Sequence, residues 1–279
     1  MNFINEERIQ AFGKHLIEEE KAIATIEKYV HDMTVFAEWL GSRDLEKTVV
    51  LAYKADLCEH HAPASVNAAL SSLNRFFDFC GWHDLRVKNL KIQRQMFASS
   101  DKELTKAEYE RLLTAAKSKQ NERLYLLMQT ICSTGIRVSE LRFITVDAVA
   151  RGIAEINCKG KRRQVFLPKD LRKLLGRYIH SQNRKSGAVF VTKNGNPLDR
   201  SNIWSDMKRL CKSAGVSEKK VFPHNLRHLF ARTFYSLQKD VVRLADILGH
   251  SSINTTRIYT METGVIHRRQ IERLGLLRC

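Results

Sequence analysis

Pro223-His224-Asn225-Leu226-Arg227-His228 decides how this chain is read. Proline suits the first position of a helix, and His224, Arg227 and His228 at i, i+3 and i+4 then share one face. Downstream come Leu248-Gly249-His250 and Thr255-Thr256-Arg257-Ile258-Tyr259; upstream stands Thr134-Gly135-Ile136-Arg137-Val138-Ser139-Glu140-Leu141. Arginine keeps its charge and forks onto phosphate oxygens, histidine exchanges protons near neutrality, and a tyrosine hydroxyl can form a covalent ester. In this order, the set points to attack on a phosphodiester by the hydroxyl of Tyr259. Singly, each piece has a plainer explanation: Arg137 with Glu140 could be a surface ion pair, and a histidine after glycine a structural cap.

Working outward, Thr105-Lys106-Ala107-Glu108 has the form of a capping box opening a helix through Ala116. A second helix is expected from Leu124 to Cys132, closed by Gly135, and at least one helical turn from Val138 to Phe143. Two alternating runs, Ile153–Ile156 and Gln164–Leu167, flank Lys159-Gly160-Lys161-Arg162-Arg163 and read as a β-hairpin with a basic turn. Helices are expected near 168–183, 200–214, 224–237, 240–248 and 252–259. Before residue 84 the apolar spacing, from Phe12 and Leu16 to Phe76 and Phe77, gives four helices. The expectation is a mainly α protein with a small β-sheet: a helical domain over 1–84, a basic linker over 85–101, a mixed α/β catalytic domain over 102–260 and a tail over 261–279.

The chain has 279 residues, 43 % of them hydrophobic, so each part can bury a core. Its formal charge of +17 is unevenly spread. Residues 1–100 hold 12 Lys and Arg against 14 Asp and Glu, and the rest hold 35 against 16. A polyanion is the expected partner, gripped mainly by the second part. Lys88, Lys91 and Arg94 on the linker and Lys161, Arg162 and Arg163 on the hairpin are candidate DNA-backbone contacts; ordinary solvated charge is the alternative for each. The six scattered cysteines form no CxxC pair or zinc spacing, and no secretory leader or membrane-length apolar run is present. A cytoplasmic protein with no membrane partner is the expectation.

Taken together, the motifs at 134–141, 159–160, 224–228, 248–251 and 255–259 resemble the tyrosine recombinase, or phage integrase, family over residues 105 to 260. The resemblance implies that Tyr259 attacks the scissile phosphate, giving a 3′-phosphotyrosyl bond and a free 5′-hydroxyl. Arg137 and Arg227 would hold the non-bridging oxygens, and His224 and Lys159 would share proton transfer. His250 would hydrogen-bond the phosphate, Glu140 would support Arg137, and His228 would orient a partner or pack. No cofactor and no metal is implied. The partner would be double-stranded DNA with paired half-sites, bound by a tetramer on two duplexes, with 261–279 given to a neighbouring protomer. Cys158 stands where the family often has glycine, which leaves open whether Lys159 or Lys161 acts. A type IB topoisomerase shares the chemistry, and a DNA-binding regulator without catalysis is the reading from another class.

Overall fold

The computed structural model describes residues 3–92, 102–158, 161–259 and 272–273, with only the backbone of Cys158 and Lys161. The chain divides into two compact units, Met1–Arg94 and Gln95–Cys279.

In the first unit, α1 (Glu6–Glu18), α2 (Ile23–Leu40), α3 (Lys47–His60) and α4 (Pro63–Phe79) surround one apolar core. Asn5 caps α1, and Pro63 opens α4. Phe12, Met33, Phe36, Val66, Leu70, Phe76 and Phe77 are fully buried. Phe12 meets Phe76 edge-on at 5.3 Å, a favoured arrangement of ring quadrupoles.

The segment read as linker begins differently. Asn74 donates Nδ2–H to the Val87 carbonyl at 2.8 Å and accepts the Val87 amide at 2.9 Å. Asn67, two turns earlier on α4, makes the same reciprocal pair with Leu90 at 3.0 and 2.7 Å. Lys54 donates to the Lys88 carbonyl at 2.6 Å, and Val87 is buried. Residues 86–90 are therefore strapped along α4 as part of the first unit. The sequence shows no periodicity there because an extended strap satisfied by side-chain amides needs none.

In the second unit, α5 (Lys106–Ser118) carries the capping box: Glu108 donates its amide to Thr105 Oγ1 at 3.2 Å, and Glu108 Oε2 accepts the Thr105 amide at 2.8 Å. α6 (Glu122–Thr134) ends at Gly135, whose φ of +67° places it in the left-handed region. A 3₁₀ turn (Val138–Phe143) and α7 (Val146–Arg151) lead into β1 (Ile153–Cys158) and β2 (Lys161–Phe166). These strands pair antiparallel from Ile153 opposite Phe166 to Cys158 opposite Lys161. Ala154, Ile156, Val165 and Leu167 turn inward, so the alternation sets the buried face. Both strands run further toward the turn than the sequence pattern suggested, and Arg162 and Arg163 belong to β2.

α8 (Lys169–Ser181) covers the core, where Leu112, Leu126, Ile131, Leu175, Phe190, Met207 and Leu226 are buried. The expected helix over 200–214 is two, α9 (Arg200–Lys208) and α10 (Cys211–Ala214). α11 (Pro223–Gln238) lies along α6; α12 (Val241–Leu248), α13 (Ile253–Thr256) and a 3₁₀ turn (Arg257–Tyr259) follow. Ala231, Leu244, Leu248 and Tyr259 form a separate small core with Phe230 and Phe234. Among the described residues, no helix is long and apolar enough to cross a membrane.

Candidate active site

Arg227 sits at the centre. Its position on α11 turns it toward the end of α6, and it is 1 % exposed. Nη1 donates to the Gly135 carbonyl; Nη2 donates to the Leu248 carbonyl at 2.8 Å and to His250 Nε2 at 2.9 Å. One guanidinium thus binds the carboxyl ends of two helices, fixing its plane. Its buried Nε–H has no hydrogen-bond partner among the described residues. A buried donor left this way costs stability, and the guanidinium also interacts with the Tyr259 hydroxyl beside it. Burial, and then the charge of Arg137, push Arg227 down to about 10, opposed by Tyr259 and Glu140; it stays charged at neutral pH.

Gly135 is required twice. Its left-handed conformation favours glycine, and a Cβ there would come within 2.4 Å of the Phe230 ring on α11. That close approach brings its carbonyl to Arg227.

Arg137 begins the 3₁₀ turn with its side chain half exposed, and Glu140, 1 % exposed, lies beneath it. Glu140 Oε2 accepts the Arg137 amide at 2.7 Å, and Oε1 accepts Arg137 Nη1–H at 3.1 Å. Oε2 also accepts from Arg163 Nη2 at 2.7 Å. Arg163 donates through Nη1 to the Ile247 carbonyl at the end of α12. The structure therefore places Arg163 inside the site, bridging β2, Glu140 and α12, whereas the sequence reading had put it on an exposed basic turn. Strand alternation sends it inward while Arg162 stays exposed. Arg137, Glu140, Arg162, Arg163, Gly249 and His250 line a cleft of about 660 Å³.

The histidines form a row against the tyrosine. His224 and His228 meet edge-on at 4.6 Å between ring centres, and His228 meets Tyr259 in the same way at 4.7 Å. His250 lies nearly parallel to Tyr259 at 5.9 Å and holds Thr256 Oγ1 through Nδ1 at 2.8 Å. Tyr259 is 3 % exposed. Burial, and then Arg227 and other neighbouring cations, lower His250 to about 4; burial, and then His224, Arg232 and Arg227, lower His228 to about 4. His224 lies at the exposed mouth; partial loss of water around its ring, and then Arg227, Arg137 and Arg200, hold its pKa below the usual value. Uncharged imidazoles at neutral pH can accept protons.

A second hollow, about 530 Å³, opens beside His224 between Arg200, Trp204, Lys208, Phe222 and Pro223. Lys88 and Lys91 are exposed on the first unit. Lys159 and Arg94 lie outside the described residues, as does the Lys161 side chain. Among the described residues, no group of three His, Cys, Asp or Glu side chains could hold a metal ion.

Sequence reasoning missed Asn225 and Thr256. Asn225, buried between His224 and Arg227, donates through Nδ2 to the carbonyls of Lys102 and Lys220, both at 2.7 Å, and so ties the start of α11 to the chain entering the unit. The sequence carries no sign of either bond, because both partners are backbone atoms of distant or irregular segments.

Residues 102–264 match the phage integrase family. This chain belongs to that family, the tyrosine recombinases. The tyrosine recombinase XerA of Thermococcus kodakarensis is 32 % identical over 95 % of this chain and 94 % of its own. A crystal structure of XerA recombinase superposes with a TM-score of 0.54 at 26 % identity, covering 98 % of this chain and 99 % of that one. A lambda integrase tetramer bound to a Holliday junction gives a TM-score of 0.73 at 18 % identity over 91 % and 76 %, a likeness of fold. The chain is an enzyme of the tyrosine-type site-specific recombinase class.

Proposed function

We propose that the chain cleaves and rejoins double-stranded DNA at paired half-sites through a 3′-phosphotyrosyl link on Tyr259. The observation that carries this is the convergence of Arg137, Arg227, His224 and His250 with a buried tyrosine, all within one unit. The Tyr259 oxygen bonds to phosphorus as the bond to the 5′-oxygen breaks. His224, uncharged at neutral pH, takes up the phenolic proton, and Lys159 supplies one to the departing 5′-oxygen. Arg137 and Arg227 meet the negative charge that builds on the non-bridging oxygens, with His250 as a further donor. Fixed donors of this kind each contribute on the order of 10²–10³ in rate. The phosphotyrosyl ester keeps the bond energy, so the 5′-hydroxyl can reverse the step or be replaced by one from another strand.

Exchange between two duplexes is the role this reading favours, by four copies of the chain with residues 261–279 given to a neighbour. The lambda integrase seen as a tetramer on a Holliday junction supports it. Integration or excision of a mobile element and resolution of DNA multimers are both uses of that reaction.

The test is a duplex nicked just beyond the scissile phosphate, so that the freed end diffuses away. After denaturation, a protein–DNA adduct is expected from the parent and none from Tyr259→Phe, with equal DNA binding. No adduct on DNA that the parent binds would overturn the phosphotyrosyl reading. Strand exchange between two labelled duplexes, as against relaxation of a supercoiled circle alone, separates the recombinase from a topoisomerase.

A further inference from the structure

Thr256 is 0 % exposed, and its hydroxyl meets His250 Nδ1 at 2.8 Å, three residues before Tyr259. The opposite ring nitrogen, Nε2, lies 2.9 Å from Arg227 Nη2. A guanidinium only donates, so in the DNA-free protein Nε2 accepts. The ring proton then resides on Nδ1 and is donated to the threonine oxygen. That tautomer presents a lone pair, not a proton, toward the centre of the site. For His250 to donate to a phosphate oxygen from Nε2, the proton must leave Nδ1 and Nδ1 must become an acceptor.

We propose that Thr256 is a positioning residue, its hydroxyl holding His250 Nδ1 as an acceptor in the free protein and as a donor once Nε2–H has turned to the scissile phosphate. The inference rests on the phosphotyrosyl reading above. A hydroxyl is the small side-chain group that serves both states, since it carries one proton and two lone pairs. The exchange is balanced: one proton leaves Nδ1 to water, one arrives at Nε2 from water, and the ring stays neutral. Burial, and then the charges of Arg227 from α11, Arg137 from the 3₁₀ turn and Arg163 from β2, hold the ring uncharged and so favour tautomer exchange over protonation. His224 adds to them, and Tyr259 covers one ring face. Because Thr256 ends α13, immediately before the 3₁₀ turn that carries Tyr259, one hydrogen bond keeps nucleophile and phosphate donor in register.

The experiment compares the parent, Thr256→Val and Thr256→Ser in single-turnover adduct formation on the nicked duplex at saturating protein. Binding is measured separately, and nitrogen-15 histidine spectra are taken without DNA. We expect Thr256→Val to form adduct about tenfold more slowly with DNA affinity within about twofold, and Thr256→Ser to restore most of the rate. The free parent should show the His250 proton on Nδ1, with Thr256→Val shifting that signal. Parental speed in Thr256→Val, an equal fall in Thr256→Ser, or a proton on Nε2 in the free protein would each overturn the proposal. A parent that binds the duplex but forms no Tyr259-dependent adduct would instead sink the phosphotyrosyl reading, and the spectra would still test the Thr256–His250 bond.

Discussion

Without the Glu140 carboxylate, the guanidiniums of Arg137 and Arg163 would face the same buried gap with no anion to offset them. Breaking a buried ion pair from one side is costly, so Glu140→Ala should lose about 3 kcal/mol in urea unfolding at pH 7. Its adduct formation should fall more than its DNA affinity, because Arg137 keeps its charge and loses its aim. The histidines give a second residue-scale expectation. His228 and His250 are lowered from 6.5 to about 4 in the fold, so between those values the unfolded chain binds more protons than the native one. The stability they contribute is whole above about pH 6.5 and is lost as pH falls toward about 4. Melting curves from pH 7.5 to 4.5 should show a falling Tm, less steep in His228→Asn. At this scale, the sequence revealed groups that the fold then gathers, since Arg137, His224, Arg227, His250 and Tyr259 stand in recognisable local runs. It hid those that act through geometry: Thr256 and Asn225 look like any small polar residue until the fold gives them partners.

At the scale of elements, the joint between α6 and α11 depends on an absent side chain. Gly135→Ala would force a strained φ and push Phe230 away from the helix end, displacing the carbonyl that holds Arg227. A destabilisation of about 2 kcal/mol is expected from the backbone strain and lost packing, seen as a lower urea midpoint, with a larger loss in adduct formation. Helix positions were legible because apolar spacing and caps act locally: the Thr105–Glu108 box and the Pro223 start stand where the sequence put them. Less legible was what breaks or extends an element through distant contacts. α9 and α10 read as one helix, and the strap over 86–90 looked like a linker because the amides of Asn67 and Asn74 that pin it lie on α4. Arg163 was misplaced for a related reason: two basic residues beside a turn look alike, and only the strand register sends one inward.

For the whole molecule, the charge division is the feature with a measurable outcome. Residues 1–94 hold every charge counted in the mildly acidic part, and the surplus of lysine and arginine belongs to residues 95–279. A fragment of residues 95–279, which has its own apolar core, should keep most of the salt dependence of DNA binding. Log affinity against log salt by fluorescence anisotropy should give nearly the full-length slope, about −0.9 for each phosphate neutralised. The charge shift fits a boundary near residue 100, close to the division after Arg94, whereas the strap over 86–90 was not visible, because composition does not register one. Tyr259 lies against histidines and an arginine of its own chain. If Tyr259 is the nucleophile proposed above, a damaged copy should neither borrow a neighbour's tyrosine nor lend its own. Mixing Arg227→Ala chains with Tyr259→Phe chains should therefore yield no complementation, and in a mixed assembly each lesion would silence only the strand in the hands of the copy that bears it.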